Sequence, residues 1–223
     1  MSFLRYNYIP LKEQCMDITW YGNSCFRITE RSMPTVVTDP YDHTSAGFKA
    51  LKLKADIVTV SHDAPGHNFV KGAKGASWEI QGAGEYEIGG VFVTGVAINE
   101  GKDANVIFTF DYDGVTVCHL GDMRSVPSRA QVEGLGTVDV LLVPVGGGNA
   151  LTAAKAAEVI ALIEPGIVVP MHYKVDGTML KLNPLKQFLQ EMGLDKQKSE
   201  ASLKVTSSSV PNETKVVVLE AAS

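Results

Sequence analysis

The sequence contains no long apolar run and no segment with the features of a signal peptide. No stretch approaches the roughly 20 apolar residues that a membrane helix needs. The start, MSFLRYNYIPLKEQ, lacks the uninterrupted apolar core of a secretion signal. We therefore expect a cytoplasmic protein with no membrane partner.

Cysteine is also scarce, since the chain has only Cys15, Cys25 and Cys118. An odd number without CxxC spacing argues against a disulfide framework and against a thiolate zinc site. We expect the three to be small buried hydrophobic residues. Any metal ion would then be held by histidine and carboxylate side chains.

Positive charge is not concentrated anywhere along the chain. The 25 acidic residues outnumber the 20 basic ones, which gives a formal net charge of −5. Without a dense Lys/Arg run, nucleic acid is not an expected partner. Hydrophobic residues make up 45% of the sequence and charged residues 20%, values typical of a globular protein with a packed core. No low-complexity linker divides the chain, so residues 1–223 are predicted to form one domain.

The first two thirds of the chain have the pattern of β-strands joined by tight turns. β-Branched and aromatic residues predict strands at 17–28, 35–39, 56–62, 77–82 and 85–96. Residues 105–122 carry Asp113-Gly114 between two apolar runs, which predicts a two-residue hairpin turn.

The last third alternates between predicted helices and strands. Thr152 is the expected N-cap of one helix, and Asn183-Pro184 is the expected start of another. The helices are predicted at 128–136, 152–164 and 183–193, and the strands at 138–145, 167–173 and 215–220. Each half thus has several strands followed by helical material, which suits two sheets packed face to face with helices outside.

Histidine or aspartate stands at the end of three predicted strands. His62 and His67 follow the first, Asp122 follows the second and His172 ends the third. A single histidine at such a place is more often structural, but the ends of strands share one rim of an α/β fold. Neutral imidazole with carboxylate is the ligand set that suits Zn²⁺ or Fe²⁺. The four residues are therefore predicted metal ligands.

Seven segments, in order, resemble the small metallo-β-lactamase-fold hydrolases related to L-ascorbate-6-phosphate lactonase. They are ITWYGNSCFRI, VVTDPYD, DIVTVSHDAPGHN, GAGEYEIGGVFVTGV, CHLGDM, VDVLLVPVGGG and EPGIVVPMHY. The resemblance covers about residues 17 to 193. It implies an α/β fold, specifically a four-layer αββα sandwich with a metal site along the edge between the two sheets.

The resemblance also implies which ligands are missing from the loop after the third segment. Such relatives carry His-x-His-x-Asp-His there, and four of its side chains divide between two metals. This chain has His62, Ala64, Gly66 and His67 at those positions. The first and last ligands are thus present, while the middle histidine and the aspartate are absent.

Elsewhere the resemblance matches Asp122 to a bridging aspartate and His172 to the last ligand. A further histidine expected after the GVFVTGV segment is absent, and Glu100 lies nearest its place. Asn23 stands where histidine is usual. We leave open whether Glu100 or Asp63 replaces a missing ligand.

The surviving ligands imply one metal position that is fuller than the other. His67, Asp122 and His172 form the fuller set, while His62 and Asp122 would need Glu100 as a third ligand. A catalytic zinc site has about three protein ligands and an open position. We therefore expect one zinc ion or none, with manganese and iron as alternatives, and not a dinuclear centre.

Two functions remain open from the sequence. In the first, the protein is a metal-dependent hydrolase in which Asp122 and His62 are catalytic and water attacks an ester, lactone or phosphoester. His62 would then be an outer ligand or a proton-transfer group. In the second, the chain is an inactive relative that serves as a ligand-binding or interaction module.

The glycines 146–148 and His119 each allow two interpretations. The glycines 146–148 would form either a phosphate cradle or a plain strand-to-helix turn, so the small-molecule substrate would be phosphorylated in the first case. His119 would either orient Asp122 or simply pack in the core. His43 is expected to be a surface histidine. Relatives often self-associate, which makes a homo-oligomer a further expectation.

Overall fold

Two mixed β-sheets form most of the computed structural model of the protein, which describes residues 14–99, 101 and 104–222. The first ten strands are β1 (Met16–Gly22), β2 (Cys25–Thr29), β3 (Val36–Thr38), β4 (Leu53–Lys54), β5 (Ile57–Thr59), β6 (Ala73–Lys74), β7 (Trp78–Ile80), β8 (Gly84–Ile88), β9 (Val91–Ile98) and β10 (Asn105–Tyr112). The other seven are β11 (Val115–His119), β12 (Val140–Pro144), β13 (Ile167–Met171), β14 (Ser199–Glu200), β15 (Leu203–Val205), β16 (Lys215–Val216) and β17 (Val218–Leu219). The α-helices are α1 (His43–Ala46), α2 (Arg129–Glu133), α3 (Ala153–Ile163) and α4 (Leu185–Glu191).

The strands are arranged so that parallel strands lie beside antiparallel ones in both large sheets. The six-stranded sheet has the order β15-β1-β2-β3-β5-β7, and the seven-stranded sheet has the order β16-β13-β12-β11-β10-β9-β8. β12 and β13 are buried along their whole length and pair in parallel, as expected for strands covered on both faces. The predicted α/β sandwich is confirmed.

Local turn chemistry fixes the register of the long antiparallel strands. Asp113 and Gly114 both have positive φ, 48° and 91°, and they join β10 to β11 as predicted. Gly89 and Gly90 make the same kind of connection between β8 and β9. Both hairpins therefore set which side chains of the second sheet face the core.

One hydrophobic cluster fills the space between the sheets and continues beneath α3. Its largest members are aromatic, and each contributes about 1.5–3 kcal/mol when fully buried. They include Trp20, Phe26, Phe108 and Phe110. α3 adds four further side chains to it, Ala153, Ala156, Val159 and Ile160, and α3 contacts both α2 and α4.

The outer face of the first sheet carries a smaller cluster and less helix than predicted. Cys25, Val37 and Tyr41 belong to this cluster, and the four-residue α1 contributes only Ala46. The loops between β3 and β7 cover the rest. The outer helical layer is therefore uneven, since α2, α3 and α4 all lie in the half of the chain that forms the second sheet.

Three local predictions need correction. α4 has Pro184 at its N-cap with no side-chain cap, because Asn183 is instead held by main-chain bonds with Gly146 and Lys174. The predicted last strand is two short strands, β16 and β17, which pair in different sheets. Cys15 is exposed, whereas Cys25 and Cys118 are buried as expected.

Helix α3 begins as predicted. The side chain of Thr152 accepts a hydrogen bond from the Lys155 amide, which satisfies one of the free N–H groups of the first turn. With 11 residues it is the longest helix of the described residues. None of these helices has the length and hydrophobicity that a membrane span requires.

Candidate metal centre

The ends of three strands bring the predicted ligands into one cleft. His62 and His67 follow β5, Asp122 follows β11 and His172 directly follows β13. All four side chains line the same cleft, whose volume is about 470 Å³. The cleft lies where strands of the first and second sheets meet, as a site along the edge between two sheets requires.

His67, Asp122 and His172 form a close group. All three are buried, and one ligand atom from each lies within 4.8 Å of the others. His172 Nδ1 lies 3.3 Å from Asp122 Oδ1. His62 is less buried, with its Nε2 3.9 Å from Asp122 Oδ2 and its ring centroid 4.2 Å from that of His67.

The structure adds Asp39, a residue that was not among the predicted ligands. This carboxylate is fully buried at the end of β3. It accepts hydrogen bonds from the Ser61 amide (2.7 Å), the Ser61 hydroxyl (2.6 Å) and His67 Nδ1 (2.8 Å). Asp39, His62 and His67 also form a second group of ligand atoms within 4.8 Å of one another.

The bonds to Asp39 determine which nitrogen of each histidine is available. Because His67 Nδ1 lies against a carboxylate, it carries the proton of the neutral ring, which leaves Nε2 with a free lone pair in that form. The Ser61 hydroxyl donates its only proton to Asp39, so it accepts from His62 Nδ1, 3.1 Å away. His62 Nε2 is then also free, and one buried carboxylate orients both rings.

Burial and neighbouring charges shift the pKa of these groups in different directions. Burial lowers the pKa of His172 to about 4. The pKa of His62 is also lowered, mainly by burial and secondly by the charge of the neighbouring His67. Burial also acts to lower the pKa of His67, but the hydrogen bond and charge of Asp39 outweigh it and raise the pKa. The pKa of Asp39 is lowered because its bonds and nearby histidines outweigh its burial. His62 and His172 are therefore neutral near pH 7, the form that binds metal.

Asn105 holds the loop that presents Asp122. Its side-chain oxygen accepts from the Asp122 amide at 2.9 Å, and its amide group donates to the Leu120 carbonyl at 3.0 Å. His119, in contrast, donates from Nε2 to the Ser24 carbonyl and accepts from the Gly121 amide at Nδ1. Both nitrogens of His119 are thus committed to the backbone, which favours the structural interpretation of this residue.

Gly121 allows this loop to approach its neighbours closely. Its φ is 61°, and a Cβ there would collide with Asn105 Oδ1 and lie 2.5 Å from Ser61 Cβ. Left-handed backbone strain costs a non-glycine residue about 1–2 kcal/mol, and overpacking costs roughly 1–3 kcal/mol more.

We expect Gly121→Ala to destabilise the protein by about 2–5 kcal/mol and to displace Asp122. Chemical denaturation measures the change. Gly114→Ala is the matched control, because Gly114 has φ 91° but no atom within 4 Å of the place that the alanine methyl group would take. Equal losses in the two variants would contradict the close packing at Gly121.

His172 is held in an uncommon backbone conformation. Its φ is 51°, and its amide donates to the Asn23 carbonyl at 3.1 Å. A Cβ at Gly146 would collide with the His172 carbonyl, so the absence of a side chain there permits this geometry. Strained residues of this kind persist where the surrounding structure fixes them, often at functional sites.

The residues present fit a bound metal ion. Asp122 Oδ1 is buried and accepts no hydrogen bond from any residue in the described part of the chain. An ionised carboxylate oxygen in that state costs about 1–3 kcal/mol or more unless a cation or donor satisfies it. Two imidazoles beside one such carboxylate match the ligand set of a mononuclear zinc or iron site.

The other described residues that the sequence suggested for the site are not among the grouped ligand atoms. Asp63 is exposed and accepts from Asn68 at 2.6 Å, and it belongs to neither group of ligand atoms. Glu100 lies outside the described residues. His43 is exposed on α1, as expected. Gly147 and Gly148 have φ of 67° and 69°, which agrees with the turn interpretation.

Known proteins resemble the chain in sequence and in structure. The model of the beta-lactamase superfamily domain matches residues 17–172. A crystal structure from Thermotoga maritima, described as a candidate zinc-dependent hydrolase of the metallo-β-lactamase superfamily, has 36% sequence identity and a TM-score of 0.76, covering 92% of this chain and 98% of the other.

Curated relatives are also similar to the chain, at lower sequence identity. A UPF0173 protein of Pyrococcus furiosus is 28% identical and aligns with 79% of this chain and 90% of its own length. A UPF0173 metal-dependent hydrolase of Archaeoglobus fulgidus is 27% identical over 71% of this chain and 83% of its own length. The family match and the shared fold agree with the cleft that holds the predicted ligands. The chain belongs to the metallo-β-lactamase superfamily.

Proposed function

We propose that the protein is a metal-dependent hydrolase that uses one metal ion at His67, Asp122 and His172. One observation carries the proposal: three buried side chains of the right type offer ligand atoms within 4.8 Å of one another. The names of the relatives from Thermotoga maritima and Archaeoglobus fulgidus, both described as hydrolases, support it.

The chain's own residues have distinct parts in this chemistry. When bound, a divalent ion lowers the pKa of water and polarises the bond to be cut. Asp39 keeps His67 in the tautomer that presents Nε2 to the cleft. His62 lies at the edge of the group with a free Nε2 and a lowered pKa, so it accepts a proton from the attacking water and returns it to the leaving group.

The proposed centre is mononuclear, and zinc is the metal that its ligands suit best. Ala64 and Gly66 offer no ligand atoms, so the second position would have His62 and Asp122, with Asp39 close to His62 as a further carboxylate. Asp39 already accepts three hydrogen bonds. A reduced ligand set is thus part of the proposal, as is a relationship to the L-ascorbate-6-phosphate lactonases, which rests on the seven sequence segments.

The substrate we propose is a small molecule that carries an anionic group, such as a phosphate or carboxylate. A cleft of about 470 Å³ has room for a small molecule and not for a folded partner. Arg124 and Lys181 line it beside the histidines. The charge of Arg124 acts on His62, which puts this cation close to the reacting group.

We expect Arg124→Gln to raise KM for anionic esters by about tenfold while kcat changes little, because a charge-assisted bond to the anion contributes about 1.5–3 kcal/mol. Steady-state kinetics with matched anionic and neutral esters measure this. Arg129→Gln is the control, since Arg129 is exposed on α2 and pairs with Glu133. An equal change for neutral esters would argue against an anion site.

Hydrolysis itself is tested with metal-free protein and added ions. We expect Zn²⁺, Mn²⁺ or Fe²⁺ to restore hydrolysis of simple esters, lactones or phosphoesters, and a chelator to remove it. Protein loaded with each of these ions and inactive on all three substrate classes would count against the hydrolase proposal.

A further inference from the structure

The turn between β1 and β2 contacts both sides of the proposed centre. This turn contains Asn23 and Ser24, and both are buried. It belongs to the first sheet, yet its atoms bond to residues that follow strands of both sheets. None of the proposed ligand roles accounts for these contacts.

The main chain of Asn23 fixes His172. Its carbonyl accepts from the His172 amide at 3.1 Å and from Trp20 Nε1 at 3.0 Å. Asn23 has φ of 50°, a conformation that asparagine adopts more readily than most residues. The next residue, Ser24, has its hydroxyl 3.4 Å from His172 Nδ1.

The side chain of Asn23 fixes the loop that carries His67. Its Nδ2 donates to the Gly66 carbonyl at 2.8 Å, one residue before this ligand. The contact is close, because a Cβ at Gly66 would lie 3.2 Å from the same nitrogen. Asn23 therefore bonds to the residue before one proposed ligand and to the backbone of another.

The side-chain oxygen of Asn23 has no hydrogen bond among the described residues. This atom, Oδ1, is buried, although Asn23 lines the cleft. Only three buried side-chain atoms of the described residues share this state, and Asp122 Oδ1 is another. Two of the three thus belong to the wall of one cleft, which indicates that its contents complete the bonding there.

We infer that Asn23 is a positioning residue that sets the distance between His67 and His172 by joining the two segments that carry them. The part of this inference that concerns metal affinity rests on the proposed function. The part that concerns the order of the ligand loop does not, because the hydrogen bonds exist without a metal.

The first experiment measures hydrogen exchange in the metal-free protein. Asn23→Gly keeps the positive φ accessible and removes only the side chain. We expect amides in residues 64–68 to exchange about fivefold faster, as the loss of one such bond implies. Asn99→Gly is the matched control, since Asn99 has φ 60° but is exposed and its side chain bonds to Ser125.

The second experiment titrates the same variants with Co²⁺ and records its visible absorption. We expect Asn23→Gly to bind Co²⁺ about 10–100-fold more weakly and with an altered band shape, while Asn99→Gly matches the wild type. Asn23→Asp serves if the glycine variant does not fold. It keeps the size and backbone preference but places an oxygen against the Gly66 carbonyl, so the same changes are expected.

Unchanged exchange at 64–68 in Asn23→Gly, or an equal increase in Asn99→Gly, would overturn the positioning role. A wild type that binds no Co²⁺ would instead count against the proposed function, and the exchange measurement would still decide the role of Asn23. Faster exchange with a wild-type Co²⁺ affinity and spectrum would overturn the claim that Asn23 sets the ligand geometry.

Discussion

Asp122→Asn is expected to abolish metal binding and hydrolysis without weakening the fold. Asparagine has the same shape but no charge, so one of three ligands is lost. Loss of a residue that only hydrogen-bonds to a ligand lowers metal affinity by up to roughly 100-fold. We expect the loss of the ligand Asp122 to lower it by more than that. Because Asp122 Oδ1 accepts no hydrogen bond in the described structure, its neutralisation should leave the metal-free protein as stable as before or up to about 2 kcal/mol more stable.

Asp63→Asn is the matched control for this variant. Asp63 lines the same cleft, but it is exposed and bonds to Asn68. Metal content should stay at the wild-type level there. An Asp122→Asn protein that keeps its metal, or an Asp63→Asn protein that loses it, would show that the ligands are misassigned.

Asp39→Asn is expected to have the opposite effect on stability. The lost carboxylate accepts three hydrogen bonds, and the new amide group points N–H bonds at donors. Each buried donor left without its acceptor costs about 1–3 kcal/mol, so we expect a total loss of roughly 3–5 kcal/mol. His67 also loses the partner that fixes its tautomer, so metal affinity should fall about 10–100-fold.

Thermal and chemical denaturation of metal-free protein measure the stability change, and Co²⁺ titration measures the affinity. The same substitution at two buried aspartates thus distinguishes their roles. Asp39 supports both the fold and the ligand His67, whereas Asp122 serves the metal site alone. If Asp39→Asn were as stable as the wild type, the network from Asp39 through Ser61 to both histidines would be wrong.

Much of this architecture could be predicted because local pattern and global fold agree. Strand content, the Asp113-Gly114 turn and the Thr152 cap are local signals, and each matches the structure. The resemblance of seven ordered segments then indicated the sandwich. Strands β14 and β15 were missed, and β16 and β17 were predicted as one strand, because two- or three-residue strands leave no periodic pattern to detect.

The site could be predicted only in part. His62, His67, Asp122 and His172 all follow apolar runs, and Asp39 carries the same signal at the end of VVTD, so that rule could have found it. Asn23 and Asn105 have no comparable signal. Asn23 bonds to a residue 43 positions away along the chain, and Asn105 bonds to one 15 positions away. Such contacts exist only once the sheets are packed.

The metal stoichiometry of the wild-type protein is the most direct test of the central claim. Protein purified without chelators, or metal-free protein dialysed against Zn²⁺, Mn²⁺ or Fe²⁺, is measured by elemental analysis beside a His172→Ala sample. The account predicts one ion per chain in the wild type and a clear loss in His172→Ala. A wild type that holds none of these ions would contradict it and would favour a ligand-binding module on the same fold.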